Sequence, residues 1–447
     1  MNASLREALR RFPGWRGYAG LLFLVALTSF LTAYYPDPLL GVGVGLFILV
    51  IWLFMVSPRL VVLLFLGLRA SLDLFKGPAT LYVSEAVRVS PAFFCSLLLI
   101  GLGLFYIIRN RVRLLEIPLV PALLFFQLLL LLHLLLTAEF LASLMEALRF
   151  LSILVLYILI YELFTTEGRL RGLILVVLLS SLFPVLTGLY QVMGEAGQYI
   201  TGFVRANGTF VHPNPFAFYL VVILGVLINE LLAGPDRVGR PRWLLPLGAA
   251  AVFCLLFTYT RTAWIGLFLL ILSAAWFRDR RLLWIFAAFL ALFVLAAPLR
   301  TRIEDLTTSV SSITHRFYIW RAGIEQLPAY PFLGRGPATF EILDIYGEQA
   351  HNDLLRIFVE LGLVGVASYL FIVIELAGRL WGQVRRVVGP FPSALARAAF
   401  SVSCVFILAS LTGNLFFRPA IQWYFWALVA ASLNAARLPS AFSEEGI

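Results

Sequence analysis

The chain has 447 residues, of which 61% are hydrophobic and 13% are charged, and its formal net charge at pH 7 is +10. No class of soluble globular protein combines so many apolar residues with so few charged ones. The positive charge does not indicate a nucleic-acid ligand, because the arginines cluster between long apolar runs, as the topology signals of membrane proteins do. Together these features predict an integral membrane protein.

Most of the apolar residues lie in runs of about 17 to 25 residues, the length that crosses about 30 Å of hydrocarbon as a helix. In lipid, each run has to satisfy its own backbone hydrogen bonds, which favours helices, and the runs lack the alternation of a membrane β-barrel. The sequence therefore predicts an all-α fold, a polytopic membrane helical bundle of about 12–14 transmembrane helices with a large periplasmic loop region.

About fourteen spans are predicted along the chain. In order they are 18–35, 38–56, 59–75, 91–108, 116–137, 139–163, 171–192, 214–233, 243–259, 263–277, 282–298, 354–377, 396–413 and 419–436. Arg69 and Asp73 interrupt the third span, and their spacing predicts an ion pair on one helical face. With this number of spans, the basic connections all fall on one side, which the positive-inside rule makes cytoplasmic, and both termini lie inside. These connections include Arg6 to Arg16, Arg109 to Arg113, Arg237 to Arg242, Arg278 to Arg281 and Arg379 to Arg397.

This assignment of spans and sides places two long loops on the periplasmic side, at 193–213 and 299–353. Long loops in a compact membrane protein are often functional. The chain therefore divides into N-terminal transmembrane helices (1–192), a catalytic part with both loops and the intervening helices (193–377), and C-terminal transmembrane helices with a cytoplasmic tail (378–447).

His351 directly precedes an apolar run, so it lies at the start of a predicted helix that Asn352 or Asp353 can cap. The positive end of the helix dipole disfavours a charged imidazole, and a histidine that is neutral near pH 7 can act as a general base. The alternative is an interfacial histidine that only hydrogen-bonds a loop.

Arg261 and Arg316 lie in predicted outer segments, and Arg205 lies in the first of the two long loops. A guanidinium group can bind phosphate through bidentate hydrogen bonds, whereas the alternative for Arg261 is contact with lipid headgroups. Arg321 is assigned a structural role instead, because Glu325 follows it at the spacing of an ordinary surface pair.

For other polar residues and glycines, the sequence gives weaker evidence of a functional role. Gly334 and Gly336 lie in a tight turn that would permit close backbone approach to a ligand, although most Gly-Xaa-Gly segments are only turns. His212 precedes a proline, where a structural role is more frequent, and His133 is expected to be a satisfied core histidine. Glu146 can pair with an arginine three residues later, at position 149.

Five short motifs occur in order between about Met193 and Gly365. They are Asn207-Gly208-Thr209-Phe210 with Pro213-Asn214, Thr260-Arg261-Thr262-Ala263-Trp264, Arg316 with Trp320, Pro331-Phe332-Leu333-Gly334-Arg335-Gly336 with Phe340, and His351-Asn352 with Leu355, Glu360, Gly362 and Gly365. This ordered combination resembles the O-antigen ligase and polymerase superfamily, membrane glycosyltransferases that act on polyprenyl-diphosphate-linked glycans. The N-terminal half resembles the family only in being a helical bundle.

The resemblance implies a metal-independent, inverting transfer at the periplasmic face of the bacterial inner membrane, without a cofactor. The family's catalytic histidine falls on His351 and its phosphate-binding arginines fall on Arg261 and Arg316. A third arginine, Arg205, joins them. Asn352, Gly334 and Gly336 are assigned supporting roles. No Asp-rich metal motif is evident in the sequence.

The partners that the resemblance implies are a polyprenyl-diphosphate-linked glycan donor, a glycan acceptor, membrane lipids and a chain-length regulator protein, with no nucleic acid. The acceptor is another lipid-linked glycan in a polymerase and a lipid A core in a ligase. Polymerase is slightly favoured, because about fourteen spans are predicted here, against about twelve in many members.

Two other functions stay open. A transporter or flippase for lipid-linked oligosaccharides would show repeated halves, broken helices and ionisable sites at the membrane midplane, whereas this sequence has no evident repeat and its polar motifs crowd one side. A non-catalytic membrane scaffold would not need Arg261 or Arg316 to bind a polyprenyl diphosphate.

Overall fold

The computed structural model describes residues 38–75, 81–82, 88–200, 203–232, 242–284, 286–287, 291, 310–342 and 350–438. The chain divides into two compact units, Met1–Phe65 and Leu66–Ile447, and the site discussed below lies within the second. The predicted first span, 18–35, lies outside the described residues, and so does most of the predicted span 282–298.

The described chain is almost entirely helical. Its helices are α1 (Pro38–Val56), α2 (Pro58–Arg69), α3 (Pro91–Arg109), α4 (Val120–His133), α5 (Phe140–Leu163), α6 (Glu167–Leu179), α7 (Leu182–Met193), α8 (Pro213–Leu231), α9 (Leu244–Phe257), α10 (Arg261–Phe277), α11 (Val310–Glu325), α12 (Thr339–Ile342), α13 (Asp353–Arg386), α14 (Pro390–Ser410) and α15 (Pro419–Ala435). Short 3₁₀ helices occur at Leu72–Phe75, Leu114–Glu116 and Leu327–Ala329. The prediction of an all-α fold is confirmed.

The described part of the chain contains two small antiparallel hairpins. The first pairs β1 (Leu81–Tyr82) with β2 (Arg88–Val89), and the second pairs β3 (Gln198–Ile200) with β4 (Phe203–Arg205). In the second hairpin Gln198 lies opposite Arg205, so this hairpin fixes the position of one of the predicted site arginines.

Six helical segments among the described residues are long and apolar enough to cross a membrane. They are Pro91–Arg109, Phe140–Leu163, Glu167–Met193, Pro213–Leu231, Asp353–Arg386 and Pro390–Ser410. Shorter apolar helices are Gly45–Val56, Val120–His133, Leu244–Phe257 and Arg261–Phe277. The polytopic membrane bundle is therefore confirmed, and the total number of spans stays a prediction.

Most predicted spans match helices to within a few residues, but the predicted span 171–192 is interrupted between α6 and α7. The hydroxyl groups of Ser180 and Ser181 donate to the carbonyl oxygens of Val177 and Leu178, at 2.7 and 2.6 Å. Such side-chain bonds compete with the helical backbone. The predicted pair in the third span forms where α2 ends, with Arg69 Nη1 lying 3.2 Å from Asp73 Oδ1.

The core of the second unit lies around α15. Every residue from 420 to 435 is buried, as expected for a helix that is apolar on all sides. The helix packs most extensively against α5 and α14. Small residues allow its neighbours to approach one another, since a Cβ at Gly266 of α10 would lie 2.7 Å from Val405 of α14.

Helix α13 is broken inside its apolar run. Gly362 has φ 65° and ψ −164°, which separates a first segment, 353–361, from a second, 363–386. Residues 331–336 form a turn, here called the docking turn, that lies against this break. A break at membrane depth is stable only if other groups bond its exposed backbone N–H and C=O groups.

The docking turn supplies these hydrogen bonds from both sides. The N–H groups of Arg335 and Gly336 donate to the carbonyl oxygens of Val359 and Glu360, at 3.0 and 2.8 Å. In the other direction, the N–H groups of Leu363 and Val364 donate to Pro331 and Phe332, at 2.9 and 3.2 Å. Backbone groups of the docking turn therefore complete the hydrogen bonds that the break leaves open.

The close packing of the docking turn explains why two of its residues are glycines. A Cβ at Gly334 would overlap the backbone of Glu360, and a Cβ at Gly336 would lie 2.6 Å from the hydroxyl of Thr137. The sequence indicated a tight turn whose glycines would permit close backbone approach to a ligand. The structure shows an approach to the protein itself, and a supporting role toward a ligand stays a prediction.

Replacing Gly362 by alanine is expected to lower the free energy of unfolding by about 3 kcal/mol or more, because its φ and ψ are almost exclusive to glycine and the new methyl would overlap Phe332. The measurement is the thermal unfolding midpoint of the purified protein in detergent. Gly378→Ala, on the same helix with open space around it, should leave the midpoint unchanged or raise it slightly. Equal midpoints for the two variants would contradict the account of the break.

Candidate functional site

Four helices begin at one end of the bundle, here called the site end. Their N-caps are His212 for α8, Thr260 for α10, Asn352 for α13 and Arg418 for α15. Each helix directs the positive end of its dipole and its first N–H groups toward the site end. Helix starts in this arrangement favour negative charge between them.

Arg205 ties two of these helix starts together. Its guanidinium group is buried and donates to the Thr258 carbonyl at 2.7 Å, to Asn214 Oδ1 at 3.0 Å and to the Thr260 hydroxyl at 3.3 Å. Asn214 belongs to the first turn of α8, and Thr260 directly precedes Arg261, the first residue of α10. The predicted site residues Arg205 and Arg261 are thus held in neighbouring segments.

His212 lies beside this arginine and caps α8. Its Nδ1 accepts a hydrogen bond from the Asn214 N–H at 3.2 Å, which confirms the predicted structural role. Burial, together with the charges of Arg205, Arg418 and His351, lowers the pKa of His212 to about 4. The imidazole is therefore neutral at pH 7, and these three groups all lie close enough to it to act on its charge.

His351 is held from both sides. Asn352 Oδ1 accepts a hydrogen bond from the Leu355 N–H at 3.0 Å, which confirms the predicted cap of α13. On the other side, the indole N–H of Trp320 donates to the Ala350 carbonyl at 2.8 Å. His351 itself has φ 49°, in the left-handed region that non-glycine residues adopt mainly where the surroundings impose it. The backbone at the histidine is therefore fixed.

Arg316 lies one helical turn before Trp320 on α11. The Arg316 guanidinium donates to the Thr412 carbonyl at 3.2 Å. The hydroxyl of Thr412 lies 3.3 Å from that of Thr262, the residue after Arg261. Arg316 and the start of α10 therefore meet at Thr412, and the assignment of Arg261 and Arg316 to one site stays a prediction.

A small apolar cluster holds α11 against the start of α13. It consists of Ile319, Phe340, Ala350 and Val359, with Trp320, Ala322, Leu327 and Leu355 packed around it. Arg321 points elsewhere and forms the predicted surface pair with Glu325, at 3.0 Å. The surface pair predicted for Arg321 is therefore confirmed, whereas a site role for Arg316 stays a prediction.

The segment 411–418, here called the last loop, was predicted only as a short connection between spans. The buried carboxylate of Asp353 accepts hydrogen bonds from the N–H groups of Leu415 and Phe416, at 2.9 and 3.0 Å. This bond joins the start of the helix after His351 to the loop that receives Arg316. No local pattern around the last loop signals such a role.

A buried charge network lies beneath the site end. Arg356 bonds Glu146 at 3.2 Å and Glu360 at 3.0 Å, and Glu146 also pairs with Arg149 at 2.6 Å, as predicted. Glu360 accepts a further hydrogen bond from the N–H of Phe340 at 3.3 Å. The network joins α5 to α13, and breaking one partner of such a buried pair is costly. Only its α5 part was predicted from the sequence.

The predicted core histidine, His133, is buried and satisfied. Its Nδ1 lies 2.7 Å from the Leu129 carbonyl, and its Nε2 contacts the Leu333 carbonyl in the docking turn. The histidine therefore fixes the docking turn on α4.

The arrangement brings positively charged and proton-accepting groups together. His351, Arg205 and Arg418 act on one neighbouring imidazole, and Arg316 meets the segment after Arg261 at the last loop. Within the described ranges, no group of three or more His, Cys, Asp or Glu residues is placed to hold a metal ion. Chemically, the site end can bind an anion beside a histidine.

Comparison with known proteins finds two similarities. Residues 246–370 match a family described as O-Antigen ligase, and this segment includes Arg261, Arg316 and His351. The chain is also 26% identical over 259 residues to the Exopolysaccharide production protein ExoQ of Rhizobium meliloti (strain 1021). That similarity covers 50% of this chain and 55% of ExoQ, so the chain spans about half the length of the curated relative it matches. Both similarities support the resemblance of this chain to the O-antigen ligase/polymerase superfamily.

Proposed function

We propose that the protein is a membrane glycosyltransferase that moves a polyprenyl-diphosphate-linked glycan onto a sugar hydroxyl of an acceptor. The reaction belongs to the biosynthesis of O-antigen or another surface polysaccharide, at the periplasmic face of the bacterial inner membrane. The observation that carries the proposal is the gathering of His351, Arg205 and Arg316 with the start of α10 at one end of the bundle.

The donor already contains a good leaving group, so the protein has to stabilise the negative charge that develops on the diphosphate. Arg261 and Arg316, with Arg205, supply guanidinium groups for this purpose, and the surrounding helix starts add the positive ends of their dipoles. In a site shielded from water, fixed groups of this kind contribute several kcal/mol to the transition state.

The acceptor hydroxyl has to lose its proton as it attacks. His351 accepts this proton, the acceptor oxygen bonds the anomeric carbon, and the bond from that carbon to the diphosphate oxygen breaks with its electron pair leaving on the diphosphate. Attack from the face opposite the leaving group inverts the anomeric carbon. His351 lies at the start of α13, where the positive end of the helix dipole disfavours a charged imidazole, and a base has to be neutral.

The acceptor is proposed to be another lipid-linked glycan, as in a polymerase, rather than a lipid A core. The predicted number of spans favours this choice slightly. The name of the relative ExoQ, which refers to exopolysaccharide production, also supports an acceptor outside lipopolysaccharide.

Transport of a lipid-linked oligosaccharide is the alternative function. The break in α13 and the buried charge network around Arg356 are features that transporters also use. Here, however, the backbone groups at the break bond the docking turn, which supports a structural role for the break.

His351→Ala is expected to lower the transfer rate by about 10²–10⁴, the usual contribution of general base catalysis, and to leave donor binding intact. Transfer is measured with purified protein and lipid-linked donor, and binding is measured with a polyprenyl diphosphate. Intact transfer would end the catalytic proposal. Accumulation of donor on the inner leaflet of cells carrying this variant would favour transport.

Arg316→Ala is expected to weaken polyprenyl diphosphate binding about tenfold or more, because a charge-assisted contact is lost. Arg321→Ala, on the same helix, removes only an exposed pair and should bind as the unmodified protein does. Equal affinities for the two variants would support a non-catalytic scaffold.

Donor supplied alone is expected to give lengthened lipid-linked chains, resolved by gel electrophoresis or mass spectrometry, because a polymerase uses a second donor molecule as acceptor. A product that forms only after lipid A core is added would identify a ligase instead.

A further inference from the structure

The end of the bundle opposite the site end, here called the far end, is where α10 and α13 finish and α14 begins. One aromatic ring from each of these helices packs there. The ring centroid of Trp381 on α13 lies 5.3 Å from that of Phe400 on α14. Phe277 on α10 lies 6.4 Å from Trp381 and 6.1 Å from Phe400. These three rings, here called the aromatic cluster, join the three helices at the far end.

The surroundings of the far end are typical of a membrane–water interface. Two tryptophans close to it in the chain, Trp276 and Trp284, are 79% and 80% exposed. Tryptophan is enriched at the level of the lipid headgroups, where its ring is in apolar surroundings and its N–H reaches water. Because α10 has 17 residues and is therefore about 25 Å long, the far end is well separated from Arg261 and the proposed donor site.

One arginine is held on the aromatic cluster by stacking. The Cζ of Arg385 lies 4.6 Å from the centroid of the Trp381 ring. Stacking engages the face of a guanidinium group and leaves the N–H donors at its edge, whose geometry matches phosphate. Arg379 on the same helix differs, because it pairs with Glu375 at 2.8 Å. Within the described ranges, Arg385 has no such carboxylate partner.

Two further arginines flank the aromatic cluster. Arg397 lies on α14, one helical turn before the ring of that helix, and is half-buried. Arg278 caps the end of α10, and its Nε donates to the Leu232 carbonyl at 2.5 Å. Among the residues that the structure describes, neither arginine forms an ion pair. The nearby carboxylate of Asp279 accepts a hydrogen bond from the backbone N–H of Arg281 instead, at 2.9 Å.

Helix dipoles explain only part of this arrangement. The negative ends of α10 and α13 attract cations, which suffices for Arg278 and Arg385. They do not explain Arg397, which lies about two turns after the start of its helix. A half-buried guanidinium group inside a membrane-spanning helix is costly, and an anion at the headgroup level would stabilise it.

We propose that the far end binds the phosphate group of an anionic glycerophospholipid between Arg385 and Arg397, with Arg278 as a further contact. The acyl chains would lie against the aromatic cluster, so that the lipid joins α10, α13 and α14. A zwitterionic headgroup fits less well, because its ammonium group would lie among the arginines. The proposal goes beyond the proposed function and does not depend on it.

The experiment titrates the purified full chain in detergent with phosphatidylglycerol and counts the bound lipid by native mass spectrometry. Arg385→Gln and Arg397→Gln should each weaken binding about fivefold, the usual effect of one arginine beside an anionic headgroup. Arg386→Gln is the matched control, since it removes the neighbouring exposed charge of the same helix, which stacks on no ring of the described chain. It should change the affinity by less than about twofold.

Thermal unfolding midpoints without added lipid show whether each variant is folded. If Arg385→Gln does not fold, Arg385→Lys provides the test. It keeps the charge but loses the planar donors, so it should weaken binding about threefold.

Two other ligands separate the sources of phosphate. Phosphatidylcholine should bind at least about fivefold more weakly than phosphatidylglycerol, and inorganic phosphate at constant ionic strength should not displace the bound lipid. Absence of phosphatidylglycerol binding, equal affinity for both lipids, displacement by inorganic phosphate, or equal losses in the Arg385 and Arg386 variants would overturn the proposal. The glycan transfer assay tests the proposed function separately, because it reports on the site end.

Discussion

The site depends on one constraint, the need of a broken membrane helix to have its backbone hydrogen bonds completed. Gly362 interrupts α13, and the docking turn completes the bonds on both sides of the break. The docking turn itself is held by a contact between His133 of α4 and the Leu333 carbonyl. The first segment of α13 can therefore take its own direction, with His351 at its start, while the second segment continues through the bundle.

Charged side chains make two kinds of contact near the helix starts. Arg356 is paired with Glu146 and Glu360, and these pairs join α5 to α13. Arg205 and Arg316 also bond neutral oxygens, those of Thr258 and Thr412. These contacts help to fix the positions of the guanidinium groups.

The sequence predicted correctly those features that depend on residues close together in the chain. Run length predicted most spans, and helical spacing predicted the pairs Arg69–Asp73, Glu146–Arg149 and Arg321–Glu325. It failed where a contact joins distant segments. The bond between Arg356 and Glu146 spans 210 positions, and the break at Gly362 is completed by residues about thirty positions earlier, so no window of sequence contains both partners.

The burial of α15 on all sides has a consequence for biosynthesis. A helix surrounded by its neighbours has to enter a space that the earlier helices have left for it, and Arg418 and the last loop arrive with it. A nascent chain that has inserted only as far as α14 therefore has the histidine and its arginines but lacks the bonds from Asp353 to Leu415 and Phe416. These bonds between α13 and the last loop therefore form only after most of the described bundle has been synthesised.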